Sequence, residues 1–320
     1  MDITLKEAAQ RLLDADHILI LSHQSPDGDT LGCASALLRG LQSLGKKARF
    51  LCSDPVPRKF NYLFAGIEPQ EFSTEFVVSV DIADRQLFGK GLAEYVDQVD
   101  LCLDHHGTNG DFAKERYVDA KAAAACEILF QVLKEMQVEI SPEIADCLFT
   151  GISTDTGCFR YGNVTPRTHR MAAELIELGA HASDINREMF DTKSRTRVAV
   201  ERYALQSMTF HFDGKCAILF LPISMVEELS AEEGDLDGIA AMPRQIEGVL
   251  AGVTVREKPD GTLKVSLRTN QPLNAADICA VFGGGGHAAA AGCAFTGKSF
   301  EEVKAMLLGE IGKQMERCGL

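Results

Sequence analysis

Asp104-His105-His106 closes the apolar run Val99–Leu103 and is followed by Gly107, so it stands where a buried strand would end. One histidine in such a place is usually structural, but two in tandem behind an aspartate serve packing poorly. Three further strand-end segments finish in the same chemistry: Ser22-His23 through Asp27 and Asp29, Asp81, and Thr154-Asp155. Hard oxygen ligands joined by one or two imidazoles suit Mn2+ or Mg2+, and the lack of a nearby cysteine ligand argues against structural zinc. Two ions roughly 3.5–4 Å apart share a carboxylate and a water, lower that water's pKa and stabilise entering and leaving oxygens. Asp27 and Asp29 flank Gly28, so alternate side chains point to two neighbouring ions, with His23 four residues before Asp27. Asp81, alone at its strand end, is the natural bridge. By itself it would read as a helix cap before Ala83.

A second cluster lies far along the chain. The run Gly283, Gly284, Gly285, Gly286, His287 lets backbone approach a ligand, and successive N–H groups there can cradle an anion. The glycines alone fit a hinge equally well. His287 directly after them, and Arg268 at the end of a hairpin, favour a surface that grips phosphate or sugar. Phe159, Arg160 and Tyr161 follow Asp155 closely enough to stack on a base, with at least one aromatic expected in the core.

These residues need elements to hold them. Continuous apolar runs at 17–21, 48–52, 76–80 and 99–103 read as strands buried on both faces. Between them, Leu31, Ala34, Leu37, Leu38, Leu41 and Leu44 repeat at helical spacing up to Gly45. Helices around 4–14, around Cys126–Met136, from Pro142 towards Gly151 and over 165–178 complete an α/β domain, a doubly wound and mostly parallel sheet. Ligands bind at the carboxyl ends of such strands. Ser183–Met208 reads as a charged helix, taken as a linker. Beyond it, strands at 216–221, 249–256 and 263–268 are set around the turn Pro259-Asp260-Gly261, and Asn274 caps a helix at 275–282. That is a smaller α+β domain. The organisation expected is 1–190 for the metal-binding domain, 191–208 for a helical linker and 209–320 for the substrate-binding domain.

Composition narrows the partners. The formal charge of −14 argues against capture of long duplex nucleic acid, which needs many cationic phosphate contacts, but not against a small phosphorylated substrate. The ten cysteines form no CxxC pair and sit mostly in apolar runs, as reduced core residues do. No signal-peptide pattern and no membrane-length apolar run is present, so the cytoplasm is the expected compartment and no membrane the expected partner.

Taken in order, the motifs resemble the DHH phosphoesterase family over nearly the whole chain. His23-x-x-x-Asp27-x-Asp29 is similar to its first motif, Val80-Asp81 to its second, Asp104-His105-His106 to its third and Gly151-Ile152-Ser153-Thr154-Asp155-Thr156-Gly157 to its fourth. Gly283–His287 with Ala290-Ala291-Gly292 resembles the signature of the DHH-associated C-terminal domain. Ser25 and Cys33 depart from the commonest first-motif residues. The resemblance implies that His23 and Asp27 hold one metal, Asp29 and His105 the other, and that Asp81 bridges them. Asp155 would complete the cluster on either ion. It further implies that Asp104 orients the histidines, that His106 meets the scissile phosphate or protonates the leaving oxygen, and that Arg268, Gly284, Gly285, Gly286 and His287 hold the substrate's other end. Two Mn2+ ions are the implied cofactors, with Mg2+ or Co2+ as substitutes. A free-standing chain of this size is similar to the family's bifunctional oligoribonucleases, which also remove a phosphate from 3′-phosphoadenosine 5′-phosphate. Short RNA and phosphorylated nucleotides are then the implied partners, with a possible homodimer. Alternatives are a linear or cyclic dinucleotide hydrolase, a manganese pyrophosphatase or a non-catalytic nucleotide-binding protein. The Gly283–His287 signature counts against the pyrophosphatase, the intact ligand set against the non-catalytic protein.

Overall fold

In the computed structural model, which describes Met1–Leu320, four of the apolar runs are strands: β1 (Ile18–Leu21), β2 (Ala48–Leu51), β3 (Phe76–Val80) and β4 (Leu101–Asp104). A fifth, β5 (Glu115–Val118), pairs with β4 and completes an all-parallel sheet in the order β2-β1-β3-β4-β5, with a single bridge from Asp2 to Arg116 on its outer side. One face, with Ile18, Ile20, Val78, Val80, Leu101 and Leu103, packs on α1 (Leu5–Asp14), α2 (Gly28–Ser43), α3 (Ala125–Glu135) and α4 (Pro142–Asp155). The other face, with Leu19, Leu21, Val77 and Cys102, is covered by Phe88, Leu92 and Phe112 from 3-10 turns and loops. With α5 (Pro166–Glu177) and α6 (Ala182–Asn186) these elements form a compact unit, Met1–Thr192. The strand order turns back at β1, between β2 and β3, the kind of switch point where strand ends open a crevice. His23–Asp29 follows β1 and Asp81 follows β3.

Thr154-Asp155 ends a helix rather than a strand, because α4 runs on past Gly151. Gly151 is a contact point and no stop: a Cβ there would lie 2.2 Å from Cys126 Sγ and 2.7 Å from Asp29 Oδ1. Gly28 does the same for α2, since a Cβ on it would lie 2.3 Å from Thr154 Oγ1. The two glycines let α2, α3 and α4 converge where the acids are.

The second compact unit, Lys193–Leu320, opens with α7 (Arg195–Ser207), capped by Ser194. The expected continuous helix over 183–208 is broken, because α6 passes into a π turn at Arg187–Asp191 and Thr192 is extended. Val200 and Ala204 of α7 pack on Leu219 and Leu221. β6 (Thr209–His211), β7 (Cys216–Leu221), β8 (Ala251–Glu257), β9 (Leu263–Thr269), β10 (Gly285–His287) and β11 (Ala290–Phe295) form one sheet in the order β10-β11-β9-β8-β7-β6. Only β7 and β8 run parallel. α8 (Ile223–Glu228) follows β7, while α9 (Ala275–Ala280) and α10 (Phe300–Arg317) cover the face carrying Val253, Val265 and Leu267. The glycine run read as an open loop is therefore partly an edge strand. Gly286 has φ +143°, and a Cβ there would lie 2.5 Å from Ala290 O, so only glycine fits the pairing. No helix is long and apolar enough to cross a membrane.

Candidate metal centre

Asp27 is the N-cap of α2: its carboxylate accepts the Asp29 and Thr30 N–H groups at 3.0 and 3.2 Å. The cap turns Asp29 inward, where its two oxygens accept the Ala125 and Cys126 N–H groups at 2.6 and 2.9 Å. Ala124, the N-cap of α3, has no side-chain oxygen to offer, so Asp29 supplies that cap from another helix and sits on the positive end of the helix dipole. Asp81 leaves β3 with φ +57°, a left-handed conformation that costs a non-glycine residue and aims its carboxylate into the cluster. The alternative use as a helix cap falls to Asp84, which accepts the Gln86 N–H.

The side chains then meet. His23 Nε2 lies 3.7 Å from Asp27 Oδ1 and 3.6 Å from Asp81 Oδ2. His105 Nε2 lies 3.5 Å from Asp81 Oδ1, 3.6 Å from Asp155 Oδ2 and 3.9 Å from Asp29 Oδ2. These separations are too long for hydrogen bonds, yet two ligands roughly 2.1 Å from a shared ion stand only roughly 3.0–3.4 Å apart. Four groups of close-set donors emerge, and two of them, His23-Asp27-Asp81 and Asp29-His105-Asp155, share no residue, while Asp81 turns one oxygen to each; the others are Asp81-His105-His106, whose His106 Nδ1 faces Asp104, and the buried Asp29-Cys33-Cys126. Asp81 is 3% exposed and its Oδ1 has no hydrogen-bond partner. A buried, orphaned carboxylate oxygen between imidazoles fits a cation. Nδ1 of His23 faces Gln24 O at 2.8 Å and Nδ1 of His105 faces Ala122 O at 3.3 Å, so in both rings Nε2 is the nitrogen turned to the cluster.

Asp104 stands outside both sets. It is fully buried, and its Oδ1 accepts the backbone N–H groups of His105 and His106 and the Nδ1–H of His106 at 2.8 Å. Its Oδ2 accepts Asn109 Nδ2 at 2.6 Å. Asn109, missed in the sequence, thus fixes the residue that fixes His106. In the second unit, Gly252, Arg268, Ala290 and His287 form one rung across β8, β9, β11 and β10. Directly opposed residues share a face, which places Arg268 and His287 on the same side of the sheet, two strand spacings or roughly 10 Å apart. Gly284 precedes β10, and Gly285 and Gly286 are its exposed first two residues.

The model of the DHH family's N-terminal domain matches residues 17–152, and that of the DHHA1 domain matches residues 213–313. The bifunctional oligoribonuclease and PAP phosphatase NrnA of Thermus thermophilus is 33% identical over 312 residues, covering 94% of this chain and 91% of the relative. The chain belongs to the DHH phosphoesterase family. An exopolyphosphatase-related protein from Bacteroides fragilis, 24% identical, superposes with a TM-score of 0.85 over 97% of this chain and 95% of its own. Exonuclease RecJ bound to manganese, 17% identical, gives 0.55 over 95% and 93%. These two likenesses are of fold.

The electrostatics of the DHH centre suit cations. Burial, then the charge of Asp27, pushes Asp29 up to about 6. Burial, then the charge of Asp29, pushes Asp155 up to about 7 and holds Asp81 well above the usual carboxylate range. Burial would lower His23, but the carboxylates of Asp27 and Asp81 raise it to about 11. The metal-free fold therefore keeps protons that the unfolded chain releases near 3.8. Stability from Asp29 and Asp155 is complete below that pH and is lost as pH rises through about 6 and 7. Divalent cations need those carboxylates ionised. A rise in Tm on saturation with a divalent cation is accordingly expected to be larger at pH 8 than at pH 5, by roughly 5–10 °C. Equal shifts at both pH values in a thermal melt would contradict this origin.

Proposed function

We propose that this DHH phosphoesterase degrades very short oligoribonucleotides to nucleoside monophosphates and converts 3′-phosphoadenosine 5′-phosphate to AMP. The observation that carries the reading is Asp81, whose two oxygens face two separate His/Asp sets. His23, Asp27 and Asp81 would hold one Mn2+, and Asp29, His105, Asp155 and the shared Asp81 the other, with Mg2+ or Co2+ able to replace it. The ions supply Lewis-acid polarisation of a phosphoryl oxygen and a water of lowered pKa. His106, held by Asp104, presents its outer face to solvent and donates the proton that the leaving oxygen needs. The Thermus thermophilus relative, named for both activities, supports the substrate class, and RecJ bound to manganese supports the metal. The net charge of −14 favours short substrates over long ones, since few phosphates can be neutralised. Ten free cysteines accord with a reducing cytoplasm.

The deciding test is one assay with Mn2+ and five substrates: a diribonucleotide, a longer RNA, 3′-phosphoadenosine 5′-phosphate, a cyclic dinucleotide and pyrophosphate. Turnover of the first and third is the expected result. Cleavage of pyrophosphate alone would overturn the reading, and cleavage of the cyclic dinucleotide alone would move it to a cyclic dinucleotide phosphodiesterase. Arg268 and His287, on their shared rung, are assigned to gripping a phosphorylated nucleotide. Arg268→Ala then raises KM roughly tenfold or more at nearly constant kcat, as loss of a charge-assisted hydrogen bond does. A fall confined to kcat would remove Arg268 from that role.

A further inference from the structure

Tyr161 is the most exposed aromatic side chain, at 60%, yet its position is fixed. Gly157, Cys158 and Phe159 take three successive left-handed conformations, with φ +56°, +58° and +60°. Two of the three carry a Cβ, for which this backbone is costly, so the surroundings must impose it. Hydrogen bonds do so. Cys158 N–H donates to Ser153 O at 2.7 Å, Phe159 N–H to Thr156 Oγ1 at 3.1 Å, and the Arg160 and Tyr161 N–H groups to Thr156 O at 2.9 and 3.0 Å.

The turn sorts the side chains that follow. Phe159 goes inward, packs on the first unit's core and stacks on His169 at 5.5 Å between ring centroids. Arg160 folds back, its Nε donating to Gly157 O at 2.6 Å and its guanidinium lying 5.7 Å from the Phe190 ring centre. Tyr161 goes outward, flat against Gly157: a Cβ on that glycine would lie 2.3–2.6 Å from the ring's Cζ, Cε1 and Cε2. Near-equal distances to three ring atoms mean that the glycine meets the ring's face. One face is backed by backbone and the other is open.

The loop is tied to the metal centre at its far end. Asn163 Nδ2 donates to Asp155 O at 3.1 Å and to Ala123 O at 3.0 Å. The first of these is the residue set against His105, and the second precedes the helix start that holds Asp29. The loop that carries the open ring is thus tied by hydrogen bonds to backbone beside two residues of the cluster, Asp155 and Asp29.

We propose that Tyr161 is a base-stacking platform, on whose open face lies the nucleobase of the nucleotide whose phosphate occupies the metal centre. The proposal rests on the phosphohydrolase reading above and adds a ligand class to it. An aromatic face stacks on any base, so the platform selects nucleotides over base-free phosphate esters without selecting a sequence.

The chain contains no tryptophan, so Tyr161→Trp makes a single-tryptophan reporter. With Ca2+ in place of Mn2+, so that phosphate can bind while turnover is slow, 3′-phosphoadenosine 5′-phosphate should quench its emission saturably, and 1-deoxyribose 3,5-bisphosphate, the base-free analogue, should not. With Mn2+, Tyr161→Ala should lower the ratio of kcat/KM for the adenosine bisphosphate to that for the base-free analogue, roughly 5- to 150-fold, through KM. Equal quenching by both compounds, or an unchanged ratio, overturns the platform while the wild-type turnover still stands. Wild-type protein that hydrolyses no nucleotide overturns the functional reading and the platform with it.

Discussion

Asp81→Asn removes turnover on every substrate by about a thousandfold or more, and its metal-free form melts higher than wild type. Both halves follow from one carboxylate. Asp81 is nearly sealed from solvent, and its raised pKa records the cost of holding a charge there beside Asp29. An amide takes the same space, tolerates the left-handed backbone at φ +57° better than alanine would, and carries no charge to repel Asp29. The metal-free fold gains. With metal the balance reverses, because an amide is a poor bridge between cations, and several kcal/mol of transition-state stabilisation is lost at about 1.4 kcal/mol per factor of ten. The measurements are kcat at saturating Mn2+ and Tm in chelator. Full turnover would end the shared-carboxylate model, and a lowered metal-free Tm would show that the carboxylate is not under strain. A gain in stability bought by lost function is the pattern expected of a site residue.

What the sequence made legible divides along physical lines. Strands β1, β3 and β4 were readable because burial on both faces demands an unbroken apolar run, and few loops or surface helices contain one. That His23, Asp27, Asp29, Asp81 and His105 would come together was readable, because residues at strand ends stay close to the strand in sequence. β5 was missed: Glu115-Arg116-Tyr117-Val118 lies at the sheet's edge, bridged on its outer side only at Arg116, and its residues are all half-buried, so no apolar run marks it. β10 and β11 were hidden by glycine and alanine, which carry almost no strand signal, although their pairing sets His287 level with Arg268. Asp155 was placed on the wrong kind of element because Gly151 looks like a helix stop, and its real purpose, clearance for Cys126 Sγ and Asp29, exists only in the packed fold. The capping of α3 by Asp29 joins residues 96 apart, beyond any local pattern. Asn109 had a weak signal, an amide soon after the triplet, but turns use asparagine too freely for that to count.

Asp104→Asn should leave a folded, metal-binding protein whose rate against pH has moved. His106 owes its position and its basicity to Asp104: that hydrogen bond, working against burial, pushes its pKa up to about 9. Burial would raise Asp104, but the same bond, the charge of His106 and the hydrogen bonds from Asn109 and the His106 backbone together hold it below the usual carboxylate range. If cationic His106 gives its proton to the leaving oxygen, kcat falls as pH rises through the pKa of that ring. Asparagine at 104 still offers an oxygen to the backbone N–H groups of His105 and His106 but no charge, so the falling limb moves from near 9 towards the ordinary 6.5. The variant should fold, because Asn109 Oδ1 has no partner in the wild-type protein and can accept the new amide after rotating. His106→Ala removes the donor outright and lowers kcat by roughly 10²- to 10⁴-fold with no falling limb left to move. A purely structural Asp104 would lower Tm and leave the pH profile in place, and a His106→Ala enzyme with the wild-type profile would transfer the proton step to another group. The paired profiles separate the residue that positions from the residue that reacts, which the loss of activity in either variant alone does not.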